Sequence, residues 1–214
     1  QVFVLVDENT QAKCMPVVAE ALVEVAYETI VIPAGESHKT LAAVEQIWNA
    51  LYNHQATREA LLLNVGGGMV TDLGGFAAAT YKRGIRYVNI PTSLLAMVDA
   101  SSGGKTGFNY LGVKNMIGSF AMPEDTLVYL PLLESLPVQE WLSGYAEMLK
   151  HGLLKDEAHW TELLALEMDD NECVMSCELL AENIAVKERI VEADPKEKGL
   201  RKLLNFSQIQ QLNL

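Results

Sequence analysis

The sequence predicts an α/β fold over roughly its first 130 residues and an all-helical half from about residue 131 to 214. Three observations carry this. Strand-sized runs that are apolar on both faces alternate with helix-spaced segments, the pattern of a parallel sheet covered on both sides. The third such run leads at once into Gly66-Gly67-Gly68 and then a helical stretch. After Pro131 the strands stop, and long, helix-favouring segments nearly free of glycine take over.

Each element follows in order. Val2–Val6 is a buried strand, and Asp7-Glu8-Asn9-Thr10 reads as the turn that ends it. A helix is expected from Pro16 to Tyr27, then a second strand over Thr29–Ile32, closed by Pro33-Ala34-Gly35. Thr40–Asn53 has helical spacing, with Leu41, Val44, Ile47, Trp48 and Leu51 on one face. Ala60–Val65 is the third strand, Met69–Tyr81 a helix, and Tyr87–Ile90 a strand before Pro91. Val138–Leu154, Glu157–Glu167 and Cys173–Ala193 are helices, and the boundary between the halves falls near Leu130–Leu136.

Composition narrows the function classes. The chain has 214 residues, half of them hydrophobic, enough for a packed core. Sixteen basic against twenty-eight acidic residues give a net charge of −12, which argues against nucleic acid as a partner. A phosphorylated small molecule stays open, because a pocket can be locally basic on an acidic protein. No apolar run approaches the ~18 residues of a membrane-spanning helix, and the opening residues are too short for a signal peptide. Three cysteines without a C-x-x-C pattern suggest reduced thiols and a cytoplasmic location. Cys173 and Cys177 read as two buried small apolar residues rather than a metal pair.

Four segments could carry chemistry. A strand running into Gly66–Gly68 and a helix suits close approach of a pyrophosphate to backbone N–H groups, or equally a tight strand-to-helix turn. Val98-Asp-Ala-Ser-Ser-Gly-Gly-Lys-Thr106 lacks the glycine six residues before its lysine that a phosphate loop needs, since Asp99 stands there. What remains is a glycine-rich loop with Lys105, and Lys114 and Asn115 soon after, fit for an anion or for plain solvent exposure. Glu147, Lys150 and His151 share one helix face; Glu147 is a metal ligand or, more simply, one end of an ion pair with Lys150. His151 reads as a packed histidine, and His38, His54 and His159 as surface residues. Lys187 interrupts an apolar stripe of Ile184, Ile190 and Val191, so it must reach water or meet an anion; Asp194, Arg201 and Asn205 follow it.

Together these segments resemble the 3-dehydroquinate synthase family. The resemblance rests on Pro33–Thr40, Gly66–Thr80, Pro91–Gly107, Lys114–Gly118 and Gly144–Lys150, in family order and spacing, and runs from about Val2 to Phe206. It implies a Rossmann-like NAD-binding domain over 1–130 and a helical metal and substrate domain over 131–214. It implies conversion of a seven-carbon keto-sugar acid phosphate to a carbocycle with loss of phosphate, using NAD catalytically and zinc or cobalt. Carried over by position, Asp7, Asn9, Glu36 and Lys39 would contact the adenosine. Gly67, Gly68 and Asp72 would face the pyrophosphate and ribose; Thr92, Ser93 and Asp99 the nicotinamide; and Leu132 to Ser135 would close over the cofactor. Lys105, Asn115, Lys150, Lys187, Arg201 and Asn205 would surround the substrate, with Lys105 and Lys114 also facing the cofactor. Glu147 matches the metal carboxylate. A homodimer is implied as well.

Departures accompany the match. Asn109–Lys114 lacks the His-Pro usual in that loop, and Ser93 and Met97 replace Thr and Gln. The family continues past Asn205-Phe206 with Gly-His-Thr and a second histidine, where this chain reads Ser207–Leu214. The helical domain and the metal site are therefore expected to be incomplete. Two alternatives stay open: a related sugar-phosphate cyclase, and an NAD-binding fragment that turns nothing over.

Overall fold

The computed structural model describes residues 1–166 and 175–205. In chain order the strands are β1 (Val2–Asp7), β2 (Tyr27–Ile32), β3 (Leu61–Gly66), β4 (Arg86–Pro91), β5 (Lys105–Tyr110), β6 (Val113–Phe120) and β7 (Asp125–Thr126). The α-helices are α1 (Glu8–Lys13), α2 (Met15–Ala21), α3 (Leu41–Asn53), α4 (Gly68–Thr80), α5 (Val138–Lys155), α6 (Glu157–Leu164) and α7 (Cys177–Ala193). Five strands form one sheet in the order β2-β1-β3-β4-β7, every pair parallel. This is a doubly wound order, and the direction of winding reverses between β1 and β3.

Alternation along the strands divides the apolar residues between two cores. Phe3, Leu5 and Leu62 face one side and pack against Val44, Ile47 and Leu51 of α3 and Leu73 and Ala77 of α4. Val4, Val6, Leu63 and Val65 face the other, where Met15 and Val18 of α2 share a core with Met148, Leu163, Leu179 and Leu180 of the C-terminal helices. Residues on both sides of the expected boundary near 130 thus bury one another, so the helices are positioned by the sheet.

Local chemistry explains where elements differ from expectation. Asp7–Thr10 is a helix start rather than a turn. The Asp7 carboxylate accepts from the Thr10 N–H at 2.8 Å, and the Thr10 hydroxyl accepts from the Asp7 N–H at 3.0 Å, a reciprocal cap. The helix expected to reach Tyr27 ends at Ala21, and β2 begins at Tyr27. The stretch after the Gly-rich loop is not an open loop. Lys105–Phe120 is an antiparallel hairpin, β5–β6, turning through Leu111 and Gly112, both at positive φ, as a two-residue turn requires. It is tied to the chain after β2: the Asn109 N–H donates to the Lys39 carbonyl at 2.8 Å, and Asn109 Nδ2 to Glu36 at 2.9 Å.

In the helical half, α7 starts at Cys177, capped by Ser176, whose Oγ accepts from Leu179 N–H at 3.1 Å. Cys177 lies on the exposed side of that first turn, contrary to the buried reading. Cys173, the other cysteine read as buried, lies outside the described residues, as do Glu167 and residues 206–214. His159 is buried, not superficial, because α6 turns His159 and Leu163 together onto α5 and α7. His38 and His54 are exposed. Among the described residues no helix is long and apolar enough to cross a membrane.

Candidate active site

A cleft of about 1460 Å³ opens at the carboxyl ends of β1 and β3, where the winding reverses. Its floor follows from the backbone. β3 ends at Gly66, Gly67 caps α4 without a side chain, and the first intrahelical bond runs from Thr71 N–H to the Gly67 carbonyl at 3.1 Å. The earlier N–H groups of α4 have no intrahelical acceptor, and Gly67, Gly68 and Met69 line the cleft. A Cβ built on Gly67 would lie 3.3 Å from Ser93 Oγ, and one on Gly68 3.1 Å from Ala100 Cβ. These narrow margins suit a cradle that admits a phosphate against main chain, and the residues present fit a dinucleotide.

The sequence-predicted cofactor residues Asp7, Asn9, Glu36, Lys39, Gly67, Gly68, Asp72, Thr92, Ser93, Asp99, Lys105, Lys114 and Ser135 all line this cleft, with Asn115 and Asn205. Leu132 does not. It is buried in the second core, because the turn over Leu130–Leu133 directs Leu132 and Leu133 inward and leaves Ser135 at the rim.

Lys39 is buried and joins two parts of the cleft. Its ammonium donates to Asp72 and to Asn115 Oδ1, both at 2.5 Å. Burial outweighs the attraction of Lys39 for the Asp72 carboxyl, whose pKa is pushed up to about 6. Asn115 is held for this bond at positive φ by its N–H, which donates to Asn109 Oδ1 at 2.8 Å.

At the edge of the cleft lies a charged cluster that draws on four segments of the chain. Buried Asn64 of β3 donates to Asn89 of β4 at 3.0 Å, and Asn89 Nδ2 donates to the Ser101 carbonyl at 2.9 Å. That pins the segment after β4, which makes one π-helical turn over Ala96–Ala100 and presents Asp99. The Lys187 ammonium of α7 meets the Asp99 carboxylate at 2.6 Å and also donates to its carbonyl. Burial alone would raise the Asp99 carboxyl; the Lys187 ammonium outweighs it and holds Asp99 below the usual carboxylate range. Burial in turn lowers Lys187, against the pull of Asp99. On α5, Lys150 pairs with Glu147 and donates to the Leu204 carbonyl at 2.6 Å. Arg201 is fully buried and donates to the carbonyls of Gly103 at 2.8 Å and Pro195 at 2.9 Å.

The structure therefore brings Lys150, Lys187 and Arg201 together around Asp99 and Gly103, but each is already partnered. Lys105 stands apart at the rim, half-exposed and paired with Glu197. Glu197 also accepts from Asn205 Nδ2 at 2.6 Å. Sequence reasoning missed Glu197; its place between Lys187 and Arg201 in a charged loop gave no periodic signal.

Asp99, Glu147 and His151 each offer a ligand atom within 4.8 Å of the others. His151 Nε2 is buried without a hydrogen-bond partner and lies 3.6 Å from Glu147 Oε1. An unsatisfied imidazole nitrogen beside two carboxylates fits a divalent cation. Glu147 is thus placed both to pair with Lys150 and to serve as a metal ligand.

Comparison with known proteins identifies the family. The family model for the N-terminal part of 3-dehydroquinate synthase matches residues 29–143, and that for the C-terminal part matches 144–207. A 3-dehydroquinate synthase from Parabacteroides distasonis is 47% identical over 206 residues, 96% of this chain and 58% of that protein. One from Pyrococcus furiosus is 44% identical, over 84% of this chain and 52% of its own length. The chain thus spans little more than half the length of these relatives. Among solved structures, 2-epi-5-epi-valiolone synthase from Streptomyces hygroscopicus, with NAD+ and Zn2+ bound, superposes with a TM-score of 0.83 at 27% identity, over 97% of this chain and 59% of that one. With one family model covering more than half of its residues and the second taking up where the first ends, the chain belongs to the 3-dehydroquinate synthase family.

Proposed function

We propose that this chain is the NAD-binding part and the adjoining helical part of a 3-dehydroquinate synthase, which cyclises a seven-carbon keto-sugar acid phosphate and eliminates phosphate. The observation that carries the reading is the meeting of a glycine-floored cleft at the switch point with the Asp99–Glu147–Lys187 cluster. When bound, NAD takes up and later returns a hydride at a ring alcohol, and zinc or cobalt polarises the oxygens there.

The protein's own residues bind and orient. The α4 N-terminus receives the pyrophosphate, with Asp72 at the ribose and Thr92, Ser93 and Asp99 toward the nicotinamide. Asp7, Asn9 and Glu36 contact the adenosine, and Ser135 borders it. Lys105, Lys114, Asn115 and Asn205 present donors to the substrate's carboxylate and phosphate at the open end, while Lys150, Lys187 and Arg201 lend positive potential from below. Oxidation to a ketone acidifies the neighbouring C–H, so phosphate can leave by elimination. The protein works as a homodimer; Leu111, Met116 and Phe120 on the hairpin are exposed apolar residues that a second copy could cover. Its location is the cytoplasm.

The test is incubation with NAD, zinc and the keto-sugar acid phosphate, with phosphate and carbocycle identified by NMR. Phosphate with 3-dehydroquinate supports the reading. Another carbocycle, such as the related cyclases form, replaces it with that class. NAD binding without phosphate release marks a non-catalytic chain.

A further inference from the structure

A ring of hydrogen bonds joins the hairpin to the dinucleotide side of the cleft, and Asn109 closes it. Asn109 of β5 meets the segment after β2 twice. Its N–H donates to the Lys39 carbonyl at 2.8 Å, and its Nδ2 donates to Glu36 Oε1 at 2.9 Å. Across the hairpin turn, its Oδ1 accepts from the Asn115 N–H at 2.8 Å. The Lys39 ammonium completes the ring, donating to Asn115 Oδ1 and to Asp72 Oδ2, both at 2.5 Å. Glu36, Lys39, Asp72 and Asn115 line the cleft; Asn109 does not.

The partners fix both amides in one orientation. A main-chain N–H can only donate, so the Asn109 atom facing Asn115 is the oxygen, and its NH2 faces the Glu36 carboxylate, which can only accept. An ammonium can only donate as well, so Asn115 turns its oxygen to Lys39 and keeps its NH2 to give to a ligand. Asn115 holds φ at +52°, a left-handed conformation that asparagine tolerates better than most residues and that the bond from its N–H to Asn109 secures. After these bonds each cleft-lining member retains capacity: the second oxygen of Glu36 and of Asp72, the third proton of Lys39 and the NH2 of Asn115.

We propose that Asn109 is a positioning residue that couples the two ligands of this cleft. It ties Glu36 and Lys39, on the dinucleotide side, to the Asn115 amide that meets the anionic substrate, so that a bound dinucleotide holds that donor in place. The inference rests on the cofactor assignment in the proposed function. Its physical basis is the shared ring. Opening the hairpin near its turn breaks the bonds to Glu36 and Lys39, and a dinucleotide engaged by those two groups makes the opening costlier. Coupling of this kind is reciprocal, so an anion held at Asn115 tightens the dinucleotide by the same factor.

The test follows amide hydrogen exchange at Asn115 in the 214-residue chain by NMR, with NAD absent or at about 100 times the Kd of each variant. NAD should slow this exchange about tenfold or more in the unmodified chain. Asn109→Asp keeps the acceptor for the Asn115 N–H but sets a second carboxylate against Glu36. NAD should then change the Asn115 rate by less than about twofold, and calorimetry should show NAD bound roughly 3–10-fold more weakly. Glu36→Gln alone still accepts from Asn109 and should retain the NAD-dependent slowing. Asn109→Asp combined with Glu36→Gln restores the bond with donor and acceptor exchanged, and should recover the slowing, which a purely packing role would not. NAD binding with no slowing at Asn115 in the unmodified chain overturns the proposal and leaves the cofactor reading intact. Full slowing in Asn109→Asp, or no recovery in the combined variant, also overturns it. Failure of the unmodified chain to bind NAD overturns both this inference and the cofactor reading.

Discussion

The two sides of the site are built in opposite ways. The cleft floor is main chain, a strand end and a helix start contributed by consecutive residues Gly66 to Met69. The charged cluster is side chain, with Asp99, Glu147, Lys187 and Arg201 each from a different segment. A main-chain site tolerates changes around it as long as its glycines stay. A side-chain cluster depends on every partner, because removing one leaves another charge buried and alone.

The sharpest way to break this contrast is Asp99→Ala. It leaves the Lys187 ammonium buried without its carboxylate, and urea denaturation should show a loss of about 3 kcal/mol. Lys187→Met should cost about 1 kcal/mol or less, since Asp99 is the more exposed partner and can hydrate. Equal costs would mean that Glu147 takes over the orphaned ammonium.

Gly103→Ala should be next, at roughly 2 kcal/mol by the same denaturation. Gly103 holds φ at +115°, and an added Cβ would lie 2.7 Å from Arg201 Nη2, which its own carbonyl binds. A loss well below 1 kcal/mol would show that Arg201 is free to move.

Gly67→Val probes the other side. Its backbone has ordinary φ, so the unfolding free energy should fall by only about 1 kcal/mol, from the poorer N-cap and the close approach to Ser93 Oγ. NAD affinity, measured by calorimetry, should nonetheless fall about tenfold or more, because the side chain fills the approach to main chain. Unchanged affinity would remove the pyrophosphate from the α4 N-terminus.

The smallest effect concerns Asp72. Its carboxyl binds a proton more readily folded than unfolded, with a pKa moved from 3.8 to about 6. The native state therefore holds the extra proton between those values, and stability should fall by about 1–2 kcal/mol as pH rises from about 4 to 6, then level. Asp72→Asn should flatten that slope. A slope that persists assigns it to another group.

This contrast also explains what was legible in the sequence. Apolar spacing is local, so β3, α3 and α4 are legible to within a residue or two from the sequence. The hairpin was not read, because Gly104, Gly107, Gly112 and Gly118 resemble a loop. Its signal was the Leu111-Gly112 turn between short alternating runs. His151 is packed, as its sequence suggests, whereas His159 reads as exposed because nothing local to it reveals its buried partner Asn183, 24 positions away on α7. Leu132 was placed at the cofactor by resemblance, and only its packing against the second core shows that it points inward.

The contact between Arg201 and the Gly103 carbonyl spans 98 residues, and that between Lys187 and Asp99 spans 88. During synthesis at about 5–20 residues per second, the segment around Asp99 leaves the ribosome roughly 5–20 s before Arg201 does. The parallel sheet can assemble in that interval, since every strand in it precedes residue 127. Asp99 then waits with its carboxylate hydrated until α7 arrives and closes these long loops. The glycine floor of the cleft is made early and the charged cluster last, so a ribosome stalled between the two would hold a chain with Gly66 to Met69 in place but no Lys187 to set beside Asp99.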